Sequence, residues 1–256
     1  MKRTRTDWYY VRLVATACSF TLFGLGGLIL GYLVFPLVSL FSSSSALATQ
    51  RCRRLIQHSF RAFIGFMTLT RIFTWNISGR ELLDRPGQLI VANHPTLIDI
   101  VFIIAMLPNA TCIIKSQLYR NIFTRGPVSR AAYVANDSPE QLVDDCVKAL
   151  NSGTSLVIFP EGTRSVKGVP GRFQRGAAYV MLAARCPLVL ATLEPQPLML
   201  AKHEKWYQIP ASRPHFTLNI KHIKDDNIEL YPQQESTSAR QLTRMWRNYF
   251  LSKVTT

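Results

Sequence analysis

The sequence is poor in acidic residues and in cysteine. Its 256 residues include 15 Asp plus Glu against 30 Lys plus Arg, for a net charge of +15, and five cysteines. The cysteines are odd in number and form no C-x-x-C pair, which predicts no disulfide framework and indicates a reduced compartment. The histidines form no H-E-x-x-H or Cys/His zinc pattern, so we expect neither a metal nor another cofactor. A hydrophobic content of 48% excludes a disordered or collagen-like chain.

The positive charge is concentrated in the first third of the chain. Residues 1–80 carry ten basic side chains and one acidic side chain, Asp7. Such an excess predicts an anionic partner, which can be a nucleic acid, a membrane surface or an acidic small molecule. The densest basic groups bracket an apolar stretch and do not lie on a recognisable recognition helix. We therefore expect an anionic membrane surface as a partner and no nucleic acid.

That apolar stretch, residues 13–41, contains no charged residue. It is longer than the ~20 apolar residues that span a bilayer core. A cleaved signal peptide is the alternative, but the apolar region of such a peptide is typically only ~7–15 residues long. Basic residues flank both ends, so the positive-inside rule assigns no orientation. With a second, amphipathic helix at residues 55–75, we expect a re-entrant pair of helices that enters and leaves one leaflet, and a single crossing is the alternative.

The rest of the chain alternates short apolar runs with turn residues and helical patterns. Strands are predicted at residues 88–92, 156–159 and 187–193, and helices from Pro95 onward and at residues 139–150, 174–185 and 236–251. Ser138 and Gln141 form a capping-box pattern. The predicted fold class is α/β, with a central mixed sheet flanked by helices and preceded by an N-terminal membrane-embedded helical segment. We place membrane-associated helices at residues 1–78 and the α/β domain at residues 79–256.

Residues 93–99, N-H-P-T-L-I-D, stand where a predicted strand ends and a predicted helix begins. If Pro95 begins the helix, His94 lies in the turn before it and Asp99 lies one turn into it. Asp99 can then accept a hydrogen bond from one ring nitrogen of His94 and leave the other nitrogen free as a base, like a triad without its serine. The alternative is a structural turn, with Asp99 favoured by the helix dipole.

Residues 159–165, F-P-E-G-T-R-S, directly follow another predicted strand. They place a carboxylate, a flexible glycine, a hydroxyl and a guanidinium at the carboxyl end of that strand, where ligands bind in open α/β sheets. Arg164 can hold a phosphate bidentately, and Thr163 can donate a hydroxyl hydrogen bond. A polar turn with an exposed Arg–Glu pair is the alternative.

Together these two blocks resemble the N-H-x-x-x-x-D and F-P-E-G-T-R-S motifs of the glycerolipid acyltransferase family, typified by 1-acylglycerol-3-phosphate acyltransferases. The resemblance covers roughly residues 75–200. It implies that His94 is the general base and that Asp99 orients it. It also implies a set of residues that bind the acceptor's phosphate or polar head: Glu161, Gly162, Thr163, Arg164 and, in a short later block, Arg175.

The sequence departs from the family pattern at two places. Asn136 stands where the family commonly has an arginine that helps to bind the acceptor phosphate, although Arg125 and Arg130 are nearby in sequence. The block that starts at Pro187 keeps only the first of its two usual prolines. The first departure leaves the acceptor's head group open, and the second concerns acyl preference rather than chemistry.

The resemblance implies an acyltransferase that moves a fatty acyl group from acyl-CoA or acyl carrier protein to a hydroxyl of a lysophospholipid-like membrane lipid, with 1-acylglycerol-3-phosphate as the first candidate acceptor. No G-x-S-x-G motif is present, and no Ser or Cys is placed by sequence next to His94, which predicts direct attack without an acyl-enzyme. The alternatives are another lipid acceptor, a hydrolase or transacylase that uses the same base, and a non-catalytic lipid-binding protein. We expect a membrane protein with its active site on the cytoplasmic side, at the inner membrane if the chain is bacterial.

Overall fold

The computed structural model describes residues 7–223 and 238–254, which form N-terminal helices followed by an α/β unit. The helices are α1 (Tyr9–Ile29), α2 (Phe35–Leu40), α3 (Ser45–Leu69), α4 (Asp99–Met106), α5 (Gln117–Arg120), α6 (Arg125–Arg130), α7 (Pro139–Asn151), α8 (Gly176–Ala184) and α9 (Ala239–Val254). The strands are β1 (Thr74–Ser78), β2 (Leu89–Ala92), β3 (Ala110–Ile114), β4 (Val134–Ala135), β5 (Ser155–Ile158), β6 (Leu188–Gln196) and β7 (His215–His222). A π-helical turn, Leu30–Val34, joins α1 to α2, and a 3-10 turn covers Arg80–Leu83.

The first two helices and the π-helical turn between them make one apolar rod, Tyr9–Leu40, of 32 residues. At 1.5 Å per residue the rod is about 48 Å long, which exceeds the roughly 30 Å of a bilayer core. By length and composition it is able to cross a membrane, and only 11% of its most apolar window is buried inside the protein. This helix suggests membrane association, whereas the re-entrant arrangement and the single crossing both stay predictions.

Helix α3 differs from the amphipathic helix predicted at residues 55–75. It begins at Ser45, because the Ser44 hydroxyl accepts a hydrogen bond from the Leu47 amide at 3.2 Å and caps the helix. It ends at Leu69. Arg71, two residues later, has a left-handed φ of 62°, which is incompatible with a continuing α-helix. Trp75 therefore lies in β1 and not in the helix.

The apolar rod contacts the α/β unit at two levels. A Cβ added to Gly31 would lie 2.8 Å from the Cα of Gly126, so the rod approaches α6 as closely as two glycines allow. Near the other end, the buried guanidinium of Arg12 donates hydrogen bonds to the carbonyl oxygens of Pro210 and Ala211 at 3.0 and 2.6 Å. Those carbonyls belong to the loop of residues 197–214, between β6 and β7, and this loop also reaches the candidate site.

The seven-stranded sheet has the order β1-β7-β6-β2-β5-β3-β4. The strands from β6 to β4 are parallel to one another, whereas β7 pairs antiparallel with β6 and β1 pairs parallel with β7. The sheet is thus mixed, as predicted. The edge strand β1, Thr74–Ser78, precedes the predicted domain boundary between residues 78 and 79, yet it belongs to the sheet. The division into two parts stays a prediction.

Alternate side chains of the central strands enter two separate cores, as strand geometry requires. Ile90 and Val157 pack on one face with α3 and α4, and Leu89 and Leu156 pack on the other face with α7, α8 and α9. The predicted α/β class with helices flanking a mixed sheet is confirmed. Apart from α3, the strand and helix positions agree with the predicted ranges to within a few residues, and two predicted helix starts differ in detail.

One helix start is displaced, and the other lacks its predicted cap. The helix predicted from Pro95 begins only at Asp99, because residues 93–98 form a loop. Helix α7 does begin at Pro139, but the Ser138 side chain makes no capping hydrogen bond, so the capping-box prediction was wrong. The predicted C-terminal helix is Ala239–Val254, and its expected first residues, 236 and 237, lie outside the described residues.

Candidate active site

The two sequence blocks meet because the strands that precede them are neighbours. Strands β2 and β5 pair in parallel, from Leu89 opposite Leu156 to Val91 opposite Ile158. Their carboxyl ends therefore reach the same edge of the sheet about 4.8 Å apart, and the loops that follow face each other. Residues 93–98 make one loop and residues 159–175 make the other.

His94 and Asp99 are in direct contact at this edge. The His94 Nδ1 atom lies 2.8 Å from Asp99 Oδ2, and the side chain of His94 is 18% exposed while that of Asp99 is fully buried. Among the residues that the structure describes, none forms a hydrogen bond with His94 Nε2. The imidazole thus has one nitrogen held by a carboxylate and one nitrogen available to a ligand.

The Asp99 carboxylate is held by more than the histidine. Its Oδ2 atom also accepts a hydrogen bond from the Thr96 amide at 2.7 Å, and its Oδ1 atom accepts one from the Thr96 hydroxyl. These bonds close residues 96–99 into a turn that ends where α4 begins. Asp99 is consequently the first residue of the helix rather than a residue one turn into it.

Glu161 points into the protein and connects the two loops. Its Oε1 atom accepts a hydrogen bond from the His94 amide at 3.0 Å, and its Oε2 atom accepts one from the Gly171 amide at 2.9 Å. The Ser165 hydroxyl lies 2.9 Å from both oxygens, and the Ser165 amide donates to the His94 carbonyl at 2.7 Å. The carboxylate, predicted to bind the acceptor, is only 6% exposed and is occupied by protein donors.

Two residues inside the motifs support His94 in ways that the sequence did not reveal. The Phe159 ring stacks on the imidazole, with centroids 4.2 Å apart and planes 23° apart. Asn93 is buried and exchanges two hydrogen bonds with the Leu193 backbone of β6, at 2.8 and 2.9 Å. The loop that carries His94 is therefore anchored to strands on both sides of β2.

The remaining residues predicted to bind the acceptor lie along the outer side of the second loop. Gly162 adopts a φ of 65°, which favours glycine, and Gly162 and Thr163 are exposed. Arg164 is half-buried, and its Nη1 atom donates to the carbonyls of Leu200 and Ala201. Arg175 is exposed and follows Gln174, whose amide donates to the Pro160 carbonyl.

Asn136 and Lys115 follow two other strands at the same edge. Asn136 comes after β4, and β5 and β3 both lie between β4 and β2, so it starts about 14 Å from the His94 strand. Lys115 comes after β3, one strand nearer, and its side chain is exposed. The sequence analysis missed Lys115. The signal was present, because Lys115 directly follows an apolar strand, as the other candidate site residues do.

An apolar cavity of about 420 Å³ lies beside α4, between the sheet and the N-terminal helices. Its wall includes Ile100 and Ile104 of α4, Cys112 of β3, and Gly26 and Phe63 of the N-terminal helices. This volume falls within the ~300–1,000 Å³ of ligand pockets. The cavity therefore offers an apolar space beside the helix that begins at Asp99.

Burial suppresses the reactivity of four of the five thiols, those of Cys52, Cys112, Cys146 and Cys186. It raises the pKa of Cys112 and of Cys146 to about 12, and it also raises the pKa values of Cys52 and Cys186. No three His, Cys, Asp or Glu side chains converge on a common point within residues 7–223 and 238–254. The expectation that the reaction needs no metal stays a prediction.

Comparisons with known proteins agree with the resemblance that the motifs indicated. Residues 74–193 match the protein family described as Acyltransferase. The chain is 32% identical over 116 residues to the 1-acyl-sn-glycerol-3-phosphate acyltransferase of Helicobacter pylori, covering 43% of this chain and 48% of that protein. It is 28% identical over 149 residues to a chloroplastic 1-acyl-sn-glycerol-3-phosphate acyltransferase of Arabidopsis thaliana, covering 55% and 42%. The match spans about half the length of these relatives.

The fold also has a solved counterpart. The crystal structure of the 1-acyl-sn-glycerophosphate acyltransferase PlsC from Thermotoga maritima superposes with a TM-score of 0.70. The match covers 98% of this chain and 97% of that chain at 16% sequence identity. At this identity the likeness shows a common fold, which includes the N-terminal helices.

The contacts of Glu161 predict a structural effect of Glu161→Gln. The amide nitrogen of Gln would replace one carboxylate oxygen and so face either the His94 amide or the Gly171 amide, each of which is itself a donor. We expect the free energy of unfolding to fall by about 1–3 kcal/mol in a denaturant titration. Thr163→Ala is the control, because Thr163 is exposed in the same loop. Equal stability of the two variants would contradict the inward role of Glu161.

Proposed function

We propose that the chain, whose residues 74–193 match the Acyltransferase family, transfers a fatty acyl group from an acyl thioester to a hydroxyl of a lysophospholipid-like acceptor. The donor is acyl-CoA or acyl carrier protein, and 1-acylglycerol-3-phosphate is the first acceptor to test. The observation that carries the proposal is the pair of His94 and Asp99, 2.8 Å apart, with His94 Nε2 available to a substrate. The alternative of a non-catalytic lipid-binding protein gives no role to that pair.

The proposed reaction proceeds by a single nucleophilic attack of the acceptor hydroxyl on the thioester. His94 Nε2 takes the proton of the acceptor hydroxyl as its oxygen bonds to the thioester carbonyl carbon. The carbon–sulfur bond then breaks, and the thiolate leaves and takes the proton back from the imidazolium. Asp99 fixes the imidazole through Nδ1 and stabilises its charged form. The stacked ring of Phe159 keeps the imidazole in one orientation.

The surroundings of His94 support direct transfer without an acyl-enzyme. The buried hydroxyls in the two loops, those of Thr96 and Ser165, donate to the carboxylates of Asp99 and Glu161. Neither is therefore activated by His94. The thiol of Cys112, which lines the apolar cavity, offers no better nucleophile, since burial raises its pKa to about 12.

The cationic groups at the carboxyl edge of the sheet suit an acceptor with a phosphate. Arg164 and Arg175 extend from the second loop, and Lys115 extends from the end of β3. Arg164 already binds two carbonyls through Nη1, so its other nitrogens are the ones left for a ligand. Lys115 takes the role that the family commonly gives to an arginine at the position of Asn136.

The apolar cavity beside α4 suits the acyl chain. It is lined by apolar side chains of both the catalytic unit and the N-terminal helices, so a chain bound there would bridge the two. The exposed apolar surface of the rod Tyr9–Leu40 would hold the catalytic unit at the bilayer that supplies the acceptor. We place the active site on the cytoplasmic side, at the inner membrane if the chain is bacterial, where anionic lipids attract the basic first third of the chain.

Removing the base or its partner is expected to stop the reaction. His94→Ala and Asp99→Asn should each lower kcat at least ~100-fold, since a general base typically contributes 10²–10⁴-fold. Labelled acyl thioester and 1-acylglycerol-3-phosphate in mixed micelles provide the assay. His203→Asn is the control, because His203 is exposed at a φ of 71° that Asn tolerates. Near-normal rates in either folded active-site variant would contradict the mechanism.

Filling the apolar cavity is expected to change the preferred acyl length. Gly26 lines the cavity, and an added Cβ there would meet nothing within 4 Å. Gly26→Leu should therefore fold normally and lower kcat/KM for long acyl thioesters more than for short ones.

Gly65→Leu is the matched control for that change. Gly65 is also helical, also has open space at its Cβ position, and does not line the cavity. An identical chain-length profile in the two variants would show that the acyl chain binds elsewhere.

A further inference from the structure

A second cavity, of about 390 Å³, lies on the opposite edge of the sheet from the candidate active site. It is lined by the polar residues Arg54, Gln57, His58, Arg61, Arg80 and Asp84. Its wall also includes Met106 and Pro108, which precede β3, whereas the active-site loops follow β2 and β5. Helix α4 separates the two places, with Asp99 at its first residue and Met106 at its last, about 10 Å apart along the axis.

The polar residues converge from two elements. Arg54, Gln57, His58 and Arg61 are spaced three, four and seven residues apart on α3, which places them on one face of the helix. Arg80 comes from the 3-10 turn before β2. Three guanidinium groups from two elements can therefore surround one ligand.

The positive charge of this cavity is not balanced within the described part of the chain. Asp84 is its one acidic lining residue, and no ion pair within 4.0 Å joins Asp84 to any of its basic neighbours there. Arg61 donates through Nε to the Ala105 carbonyl at 2.7 Å, which fixes its direction. The side chains of Arg54, His58 and Arg80 have no hydrogen-bond partner among the described residues.

Gln57 adds an amide donor to the arginines. The residue is only 4% exposed, and its side chain lines the cavity without a hydrogen-bond partner among the residues that the structure describes. Its amide is not sealed from solvent, so it opens onto the cavity and is available to a ligand there. An oxyanion in the cavity would accept from the Gln57 amide and from the arginines around it.

We propose that this cavity is a binding site for a phosphate group, separate from the proposed reaction. Guanidinium groups match the geometry of phosphate oxygens and bind them through paired N–H donors. The phosphate can belong to a phospholipid head group, since α3 continues directly from the apolar rod, or to a soluble phosphate compound. The site would then hold the catalytic unit in one orientation on lipid, or respond to soluble phosphate.

The test compares two variants that lose the same charge. Arg54→Gln/Arg80→Gln removes two arginines from the cavity, and Arg85→Gln/Arg120→Gln removes two exposed arginines that do not line it. The Tm of the full chain in detergent is measured against inorganic phosphate, with chloride holding the ionic strength constant. A ligand that binds the native state raises Tm, and any contribution from the active site is the same in both variants.

We expect the cavity variant to bind phosphate at least tenfold more weakly than the wild type and the control variant. Gln57→Leu provides a second route to the same result, because it removes the amide donor at similar volume. It should show a smaller phosphate-dependent rise in Tm than the wild type.

A second measurement identifies the source of the phosphate. Native mass spectrometry counts the phosphatidylglycerol that each chain retains from vesicles of phosphatidylglycerol and phosphatidylcholine. A loss of lipid in the cavity variant alone supports a head-group site, and a loss of the inorganic phosphate response alone supports a soluble ligand. Equal behaviour of the cavity and control variants in both measurements overturns the proposal.

Discussion

The buried carboxylate of Glu161 joins the loop after β2 to the loop after β5, and the geometry of the candidate site depends on it. It accepts hydrogen bonds from the His94 amide, the Ser165 hydroxyl and the Gly171 amide. The hydrogen bond to the His94 amide fixes the backbone at this residue, which positions the imidazole for its contact with Asp99. The carboxylate is paired with protein donors and holds the backbone of His94 in place, and its predicted contact with the acceptor stays a prediction.

The loop of residues 197–214 extends this organisation to the N-terminal helices. Arg12 of α1 donates to its carbonyls at one end, and Arg164 donates to the carbonyls of Leu200 and Ala201 at the other. The Leu97 amide, in the loop that carries His94, also donates to the Leu200 carbonyl. The apolar rod and both loops of the candidate site thus form hydrogen bonds with the same segment, residues 197–214.

Local patterns in the sequence predicted much of this molecule. Apolar runs located the central strands, and residues that directly follow those strands, His94 and Glu161 among them, identified the edge where the site lies. The sequence could not predict the start of α4, because hydrogen bonds between Thr96 and Asp99 compete with the helix that Pro95 would begin. It also could not predict that Glu161 turns inward, because its donors come from residues far along the chain that only the folded sheet brings together.

The fate of the acyl carbon tests the proposed chemistry most directly. The wild-type chain in lipid vesicles would be mixed with thioester labelled at its carbonyl carbon, with and without 1-acylglycerol-3-phosphate, and the label in lipid, free fatty acid and protein would be counted. Direct transfer predicts one labelled diacyl lipid for each thiol released, only when acceptor is present, and no label on the protein. Labelled free fatty acid formed in step with thiol release would indicate a hydrolase. Labelled protein in the absence of acceptor would indicate an acyl-enzyme. Either result would contradict direct transfer.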